Sequence, residues 1–267
     1  MDSAAPNTPD DARRFGGIAR LYGDAGRARL AAAHVCVVGI GGVGSWAVEA
    51  LARSGVGRLT LIDLDHVAES NINRQIHATG ATLGQAKVEA MRERIAGYNP
   101  ACQVVVVDDF VTVDNVAALL GGGFDCVIDA IDAVRVKVAM IAFCRDAGVP
   151  VVTCGAAGGQ IDPTRILVDD LSRTIQDPLL AKVRGQLRKG HGFPRDPKRK
   201  FGVEAVFSTE PLRYPAPDAA CEVQPAGQAN SGPAGLNCAG FGSVVTVTAC
   251  VGMFAAARAL NALAAAR

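Results

Sequence analysis

The run from His34 to Asp65, HVCVVGIGGVGSWAVEALARSGVGRLTLIDLD, constrains this chain more than any other stretch. It reads as strand, glycine turn, helix and second strand in immediate succession. The apolar, β-branched burst Val35 to Ile40 ends in Gly39-Ile40-Gly41-Gly42-Val43-Gly44. A helical pattern then runs from Ser45 to Arg53, and a second apolar strand, Leu59 to Ile62, closes on Asp63. Glycines allow a tight turn and close approach to a phosphate, a helix amino end offers unpaired N–H groups, and an acid about 20 residues on can take a ribose hydroxyl. The arrangement accounts for an adenosine and its phosphates. NAD, FAD, S-adenosylmethionine and ATP all satisfy it, and the plainer reading is a glycine turn inside any doubly wound sheet.

With 267 residues, 49% of them hydrophobic, the chain can bury a large core as one α/β domain with room for an appended subdomain. A formal net charge of +1 gives no global signature for a polyanion, so any nucleic-acid contact must come from a local patch. The eight cysteines are scattered, mostly within apolar runs, and no C-x-x-C occurs. That argues against a zinc knuckle or a disulfide framework and for buried thiols in a reducing cytosol. The opening MDSAAPNTPDD is acidic and Pro-rich without an apolar core, so residues 1–12 are expected to be a disordered tail rather than a signal peptide.

From Arg13, RRFGGIARLYGDAGRARLAAA has helical spacing interrupted by glycines, and Arg14, Arg20, Arg27 and Arg29 would ordinarily be a solvated face. After Asp63 the connection is unusually polar. Asn71, Asn73, Arg74 and Gln75 cluster in a loop or short helix, and Lys87 starts a new helix face. Singly these are surface decoration; following a glycine turn, Arg74 and Lys87 could neutralise a triphosphate while Asn71 fixes the geometry. Gln103 to Val107 and Phe124 to Ala130 are continuous apolar strands, the mark of a parallel sheet covered on both faces. The second leads into Asp129-Ala130-Ile131-Asp132. Asp132 is then either an acid in the ligand crevice, useful there with a metal, or a helix N-cap.

Val149 to Cys154 is a further strand, and QIDPTRILVDDL reads as an extended, antiparallel one because Pro163 excludes a helix interior. Residues 182–200 hold Lys182, Arg184, Arg188, Lys189, Arg195, Lys198, Arg199 and Lys200 against Asp196 alone. Such a concentration suits RNA phosphates, or is simply a solvated mobile loop. Ala205 to Thr209 is a short strand, and 215–235 is expected to be a mobile loop. Phe241 to Ala257 is apolar for seventeen residues, short of the roughly 20 a membrane span needs. It reads as a buried helix at a domain or dimer interface, with peripheral membrane contact the other reading and no stable span expected.

The motif train RFGGIARLYG, VVGIGGVGSWAVEALARSGVG, LIDLDHVAESNINRQ, GQAKVE, DDFVT, VIDAIDAVRVK, GGQIDPT, TIQDPL and VFSTE resembles the bacterial tRNA threonylcarbamoyladenosine dehydratases, across about residues 14–257. These belong to the superfamily of ubiquitin-activating and sulfur-carrier-adenylating enzymes; GGQIDPT and VFSTE set the subfamily apart. The resemblance implies a Rossmann-like, doubly wound, mainly parallel sheet with an antiparallel extension and a C-terminal apolar helix. It implies one adenylating domain over 13–267, with a nucleotide-binding half at 13–157 and a substrate, tRNA and dimer-contact half at 158–267.

By the same resemblance the activity is ATP-dependent dehydration of threonylcarbamoyladenosine beside the tRNA anticodon, in a cytoplasmic homodimer that uses ATP and Mg2+. Gly39, Gly41, Gly42 and Gly44 would hold the nucleotide, Asp63 the ribose, Asn71, Arg74 and Lys87 the phosphates, and Asp132 the magnesium ion. An amino-terminal arginine of the partner subunit usually enters the site. The superfamily's Arg-aromatic-x-Arg pattern becomes Arg14-Phe15-Gly16-Gly17 here, which leaves Arg20 as the candidate. Zinc cysteine pairs of the protein-activating relatives are missing, and Cys238, in NCAGFG, stands as a thiol for sulfur relay or acyl transfer. Two other readings stay open: an enzyme that adenylates the tail of a sulfur-carrier or ubiquitin-like protein, and a non-catalytic scaffold for tRNA with cysteine-desulfurase or sulfur-acceptor partners. An NAD oxidoreductase gives Arg74, Lys87 and Asp132 no shared role.

Overall fold

The computed structural model describes residues 10–214 and 241–265. The chain begins with helix α1 (Asp11–Ala32), whose Asp10 cap accepts from the Arg13 N–H and which kinks at Gly23. The helix therefore starts inside the tail expected over residues 1–12. Alternation follows: β1 (His34–Val38), α2 (Gly44–Arg53), β2 (Arg58–Ile62), α3 (Lys87–Ala96), β3 (Gln103–Val107), the short α4 (Val116–Leu120), β4 (Cys126–Asp129), α5 (Val134–Ala147) and β5 (Val151–Cys154). Beyond these come β6 (Ile166–Asp170), α6 (Pro178–Gly190), β7 (Glu204–Ser208) and α7 (Val245–Ala264).

The seven strands form one sheet in the order β3-β2-β1-β4-β5-β7-β6. All neighbours pair in parallel except β6 and β7, which are antiparallel. The fold is thus a doubly wound, mainly parallel sheet with an antiparallel edge. Strand order reverses between β1 and β4, and the crevice at their carboxyl ends is where such sheets bind ligands. Strand alternation sorts the core into two layers. Val35, Val37, Leu59 and Leu61 face α2, α3 and α7, while Cys36, Val38 and Ile62 face α4, α5 and α6.

Three segments differ from the sequence reading. Only Ile166–Asp170 of QIDPTRILVDDL is strand; Pro163 opens a 3-10 turn, and Asp162 caps it by accepting from the Thr164 N–H. The basic stretch is not one loop. Its first half lies on α6, which buries Leu179, Leu180, Val183 and Leu187 and exposes Lys182 and Lys189. Arg184 donates to the Thr174 hydroxyl, and Arg188 donates to the Pro194 carbonyl at 3.2 Å while lying over the Phe201 ring. Two cations are therefore spent on folding, while Arg195, Lys198, Arg199 and Lys200 remain exposed.

The last apolar helix runs past Arg258, because Arg258 sits at the helix edge and pairs with Glu204. Helix α7 is long and apolar enough to cross a membrane by composition, yet half of its most apolar window is buried inside the fold. Gly252 makes that packing close: a Cβ there would lie 2.3 Å from the Val43 carbonyl oxygen on α2's entry turn. The expected loop over 215–235 and Cys238 lie outside the described residues.

Candidate nucleotide-binding site

Gly39 leaves β1 with φ of +87°, and a Cβ there would meet Ile131 Cγ2 at 2.9 Å and the Ala130 carbonyl oxygen at 3.0 Å. A Cβ on Gly44 would lie 1.8 Å from the Gly39 carbonyl oxygen. Only glycine fits at either place, so the turn is drawn tight against the end of β4 and α2 starts directly after it, its amino end beside the crevice. Gly42 packs on the Arg74 stem, with a Cβ position 3.2 Å from Arg74 Cγ, and Gly41's Cβ position is 4.0 Å from Gln75 Nε2.

Asp63, at the end of β2, is 9% exposed. Its carboxylate accepts from the Ile40 N–H at 2.6 Å and from the Asp65 N–H at 2.9 Å. Burial pushes its pKa up; the Lys87 ammonium and these N–H donors pull the other way. Each oxygen keeps a lone pair for a further donor, as a ribose hydroxyl requires.

Asn71 is buried and accepts through Oδ1 from the Ala68 N–H at 3.0 Å, and its backbone carbonyl takes the Arg74 and Gln75 N–H groups. It therefore shapes the loop that presents Arg74. The Arg74 guanidinium donates to the Ser70 carbonyl at 2.6 Å and to Asn73 Oδ1 at 3.0 Å. Lys87, first residue of α3, is 5% exposed and donates to Asp65 Oδ2 at 2.7 Å.

Asp132 is half-buried just before α5. Ala133 stands at the N-cap position of that helix, one residue after Asp132. Beneath the Asp132 turn, Asp129 and Lys137 form a fully buried ion pair at 2.8 Å, and Thr153 donates its hydroxyl to Asp129 at 2.7 Å. Among the described residues no three His, Cys, Asp or Glu side chains converge on a metal position. Mg2+ is ordinarily held by one or two carboxylates together with phosphate oxygens and water, so a single carboxylate at this place fits it.

Arg20 does not join the site in its own chain: it is exposed, with its guanidinium folded over Gly16 and Gly17. Several groups had been given no role in the sequence reading. Asp65 had a visible signal, as the second acid of DLD. Ser45 and Gln75 sit buried at the turn with Ser45 Oγ and Gln75 Oε1 unpartnered, which suits a cradle for a polar ligand. The GGQIDPT and VFSTE motifs prove to be one unit. Glu210 Oε2 accepts from the Ile161 and Asp162 N–H groups at 2.9 and 2.8 Å, and Thr209 N donates to the Arg165 carbonyl at 3.0 Å. Burial pushes the Cys126, Cys144 and Cys154 thiols up to about 12, which makes them inert as nucleophiles.

The sequence pattern of the ThiF family matches residues 17–266. The tRNA threonylcarbamoyladenosine dehydratase of Escherichia coli is 55% identical over 251 residues, covering 93% of this chain and 92% of that one. The enzyme of the same name from Haemophilus influenzae is 52% identical over 252 residues, covering 94% and 93%. A crystal structure of the E. coli dehydratase, TcdA, in complex with ATP superposes with a TM-score of 0.83 at 52% identity, covering 94% of each chain.

Proposed function

Because the chain belongs to the ThiF family and, within it, to the tRNA threonylcarbamoyladenosine dehydratases, we propose that it uses ATP to remove water from threonylcarbamoyladenosine beside the tRNA anticodon. The observation that carries the reading is the glycine turn locked onto Asp63 by the 2.6 Å Ile40 contact, with Arg74 packed on Gly42, in a fold shared with an ATP-bound relative.

In this reading Gly39, Gly41, Gly42 and Gly44 admit the phosphates and Asp63 takes the ribose. The threonyl carboxylate attacks the α-phosphate, pyrophosphate leaves, and the carboxyl becomes an acyl adenylate. Arg74 and Lys87 offset the charge that builds on the leaving group, Asn71 holds the loop that aims Arg74, and most of the acceleration is positioning and charge stabilisation. Asp132 would hold magnesium, which supplies further neutralisation of phosphate charge. The substrate's own carbamoyl group then attacks the activated carbonyl, AMP departs, and a ring closes with net loss of water. No enzyme thiol is needed.

Arg20 is assigned to the partner's site in a homodimer, a role that its exposure on α1 favours. The exposed cations Lys182, Lys189, Arg195, Lys198, Arg199 and Lys200 are assigned to the anticodon stem.

The test is to incubate the protein with ATP, magnesium and threonylcarbamoylated tRNA, digest, and weigh the nucleosides. A product lighter by one water is expected. Its absence, with pyrophosphate exchange seen only when a sulfur-carrier protein is supplied, would overturn the reading.

A further inference from the structure

Gln160 lies in the GGQIDPT segment at 2% exposure, and neither its Oε1 nor its Nε2 has a partner. A buried primary amide without hydrogen bonds is unfavourable, and a loop that could relieve it by shifting would do so. This one is pinned on both sides. The following N–H groups, of Ile161 and Asp162, are held by Glu210. The preceding Gly159 donates to the Gly242 carbonyl at 2.8 Å and accepts from the Arg213 N–H at 2.8 Å. Space is short as well, since a Cβ on Gly159 would lie 2.9 Å from Phe241 Cδ1.

The same contacts locate the loop. Gly242 precedes Ser243, whose carbonyl accepts from Asn73 Nδ2 at 2.9 Å, and Asn73 Oδ1 in turn accepts from Arg74 at 3.0 Å. The backbone that carries Gln160, beyond the end of β5, is thus tied through Gly242, Ser243 and Asn73 to the cation assigned to the phosphates. That strand neighbours β4, which leads to Asp132. The other unpartnered groups here, Ser45 Oγ and Gln75 Oε1, border the glycine turn and belong to the nucleotide. No glycine of the turn has Gln160 among its nearest atoms, so the amide is assigned to the other reactant.

We propose that Gln160 binds the threonylcarbamoyl group of the modified adenosine. Its Nε2–H donates to the carbamoyl oxygen and its Oε1 accepts from a substrate N–H or O–H, which holds that group for ring closure. A carboxamide suits this ligand because a carbamoyl group offers both an acceptor and donors, whereas a charged side chain would match only one of them. The inference rests on the dehydratase reading above and names the residue that recognises its substrate.

Gln160→Met keeps the volume and removes the polar atoms, and three measurements on the full chain decide the matter. Thermal unfolding without ligands should move to higher temperature, because an unpartnered amide is gone. ATP binding by titration calorimetry should be unchanged. The kcat/KM for threonylcarbamoylated tRNA should fall roughly 100-fold or more, as when a buried site loses its hydrogen-bonding match. A structural glutamine would behave in the opposite sense, with a lower unfolding temperature, or no folding at all, and turnover reduced only with the folded fraction. That pattern, or full kcat/KM in the variant, would overturn the proposal. If the unaltered protein itself makes no product lighter by one water, the dehydratase reading fails first and this inference falls with it.

Discussion

Lys87 Nζ lies 2.7 Å from Asp65 Oδ2, with the lysine side chain 7% exposed and the aspartate 56% exposed. A sheltered cation is thus held by a carboxylate that can turn out into water when a more highly charged anion arrives. Lys87→Ala should reduce tRNA-dependent AMP release by at least about 100-fold, as expected for loss of a preorganised charge. Asp65→Asn should retain most of it, because the phosphates replace the carboxylate as the lysine's partner. Equal losses in both variants, in a radiometric AMP assay, would contradict this exchange.

The Asp129–Lys137 pair is wholly buried, so removing one partner strands the other charge in the core. Lys137→Met should lower the free energy of unfolding by about 3–5 kcal/mol, read from urea titration. The double variant Asp129→Leu/Lys137→Met should recover a large part of it. A single-variant loss below about 1 kcal/mol would show that water relaxes the site.

His77 gives a pH signature. It is 2% exposed, neither ring nitrogen has a partner, and burial, aided by the Lys87 and Arg94 charges, pulls its pKa down from 6.5 to about 4. The unfolded chain takes up this proton near 6.5 and the folded chain only near 4. Stability is therefore lost as pH falls through that window, by about 3 kcal/mol in all. Urea midpoints collected across the window should fall more steeply for the wild type than for His77→Leu. Parallel curves would sink the assignment.

The exposed triplet Lys198, Arg199 and Lys200 is expected to act on tRNA alone. Changing all three to Ala should lessen the slope of log Kd against log salt by about 3 and leave ATP binding as it was. Filter binding at several salt concentrations checks both points, and an unaltered slope would remove this surface from the tRNA path.

The succession β1, α2 and β2 was legible because its signals are local. A β-branched run, a glycine turn and an acid at fixed spacing specify β1, α2 and β2 within thirty-two residues, His34 to Asp65. Helix α6 was hidden because its apolar positions, Leu179, Leu180, Val183 and Leu187, are interleaved with the cations that made the segment look like a loop. Gln160 was hidden for another reason. The loop that carries it is held by Glu210, Phe241 and Gly242, partners distant in sequence that no window of spacing can reveal. The Asp129–Lys137 pair fell between these cases. Asp129 stood out at the end of its strand, but only folding shows that Lys137 turns inward to meet it.

The close seat of Gly252 on Val43, together with Thr248 against Gly42, bears on how the molecule comes into being. The glycine turn leaves the ribosome early, but the helix that backs it is made long afterwards. A nascent chain that carries every residue assigned to the phosphates would therefore still have an open flank of apolar surface on α2. Such a chain should hold ATP poorly until α7 docks. On that expectation half-made copies would bind little nucleotide, and the interval before docking would be the one in which the chain exposes most apolar surface.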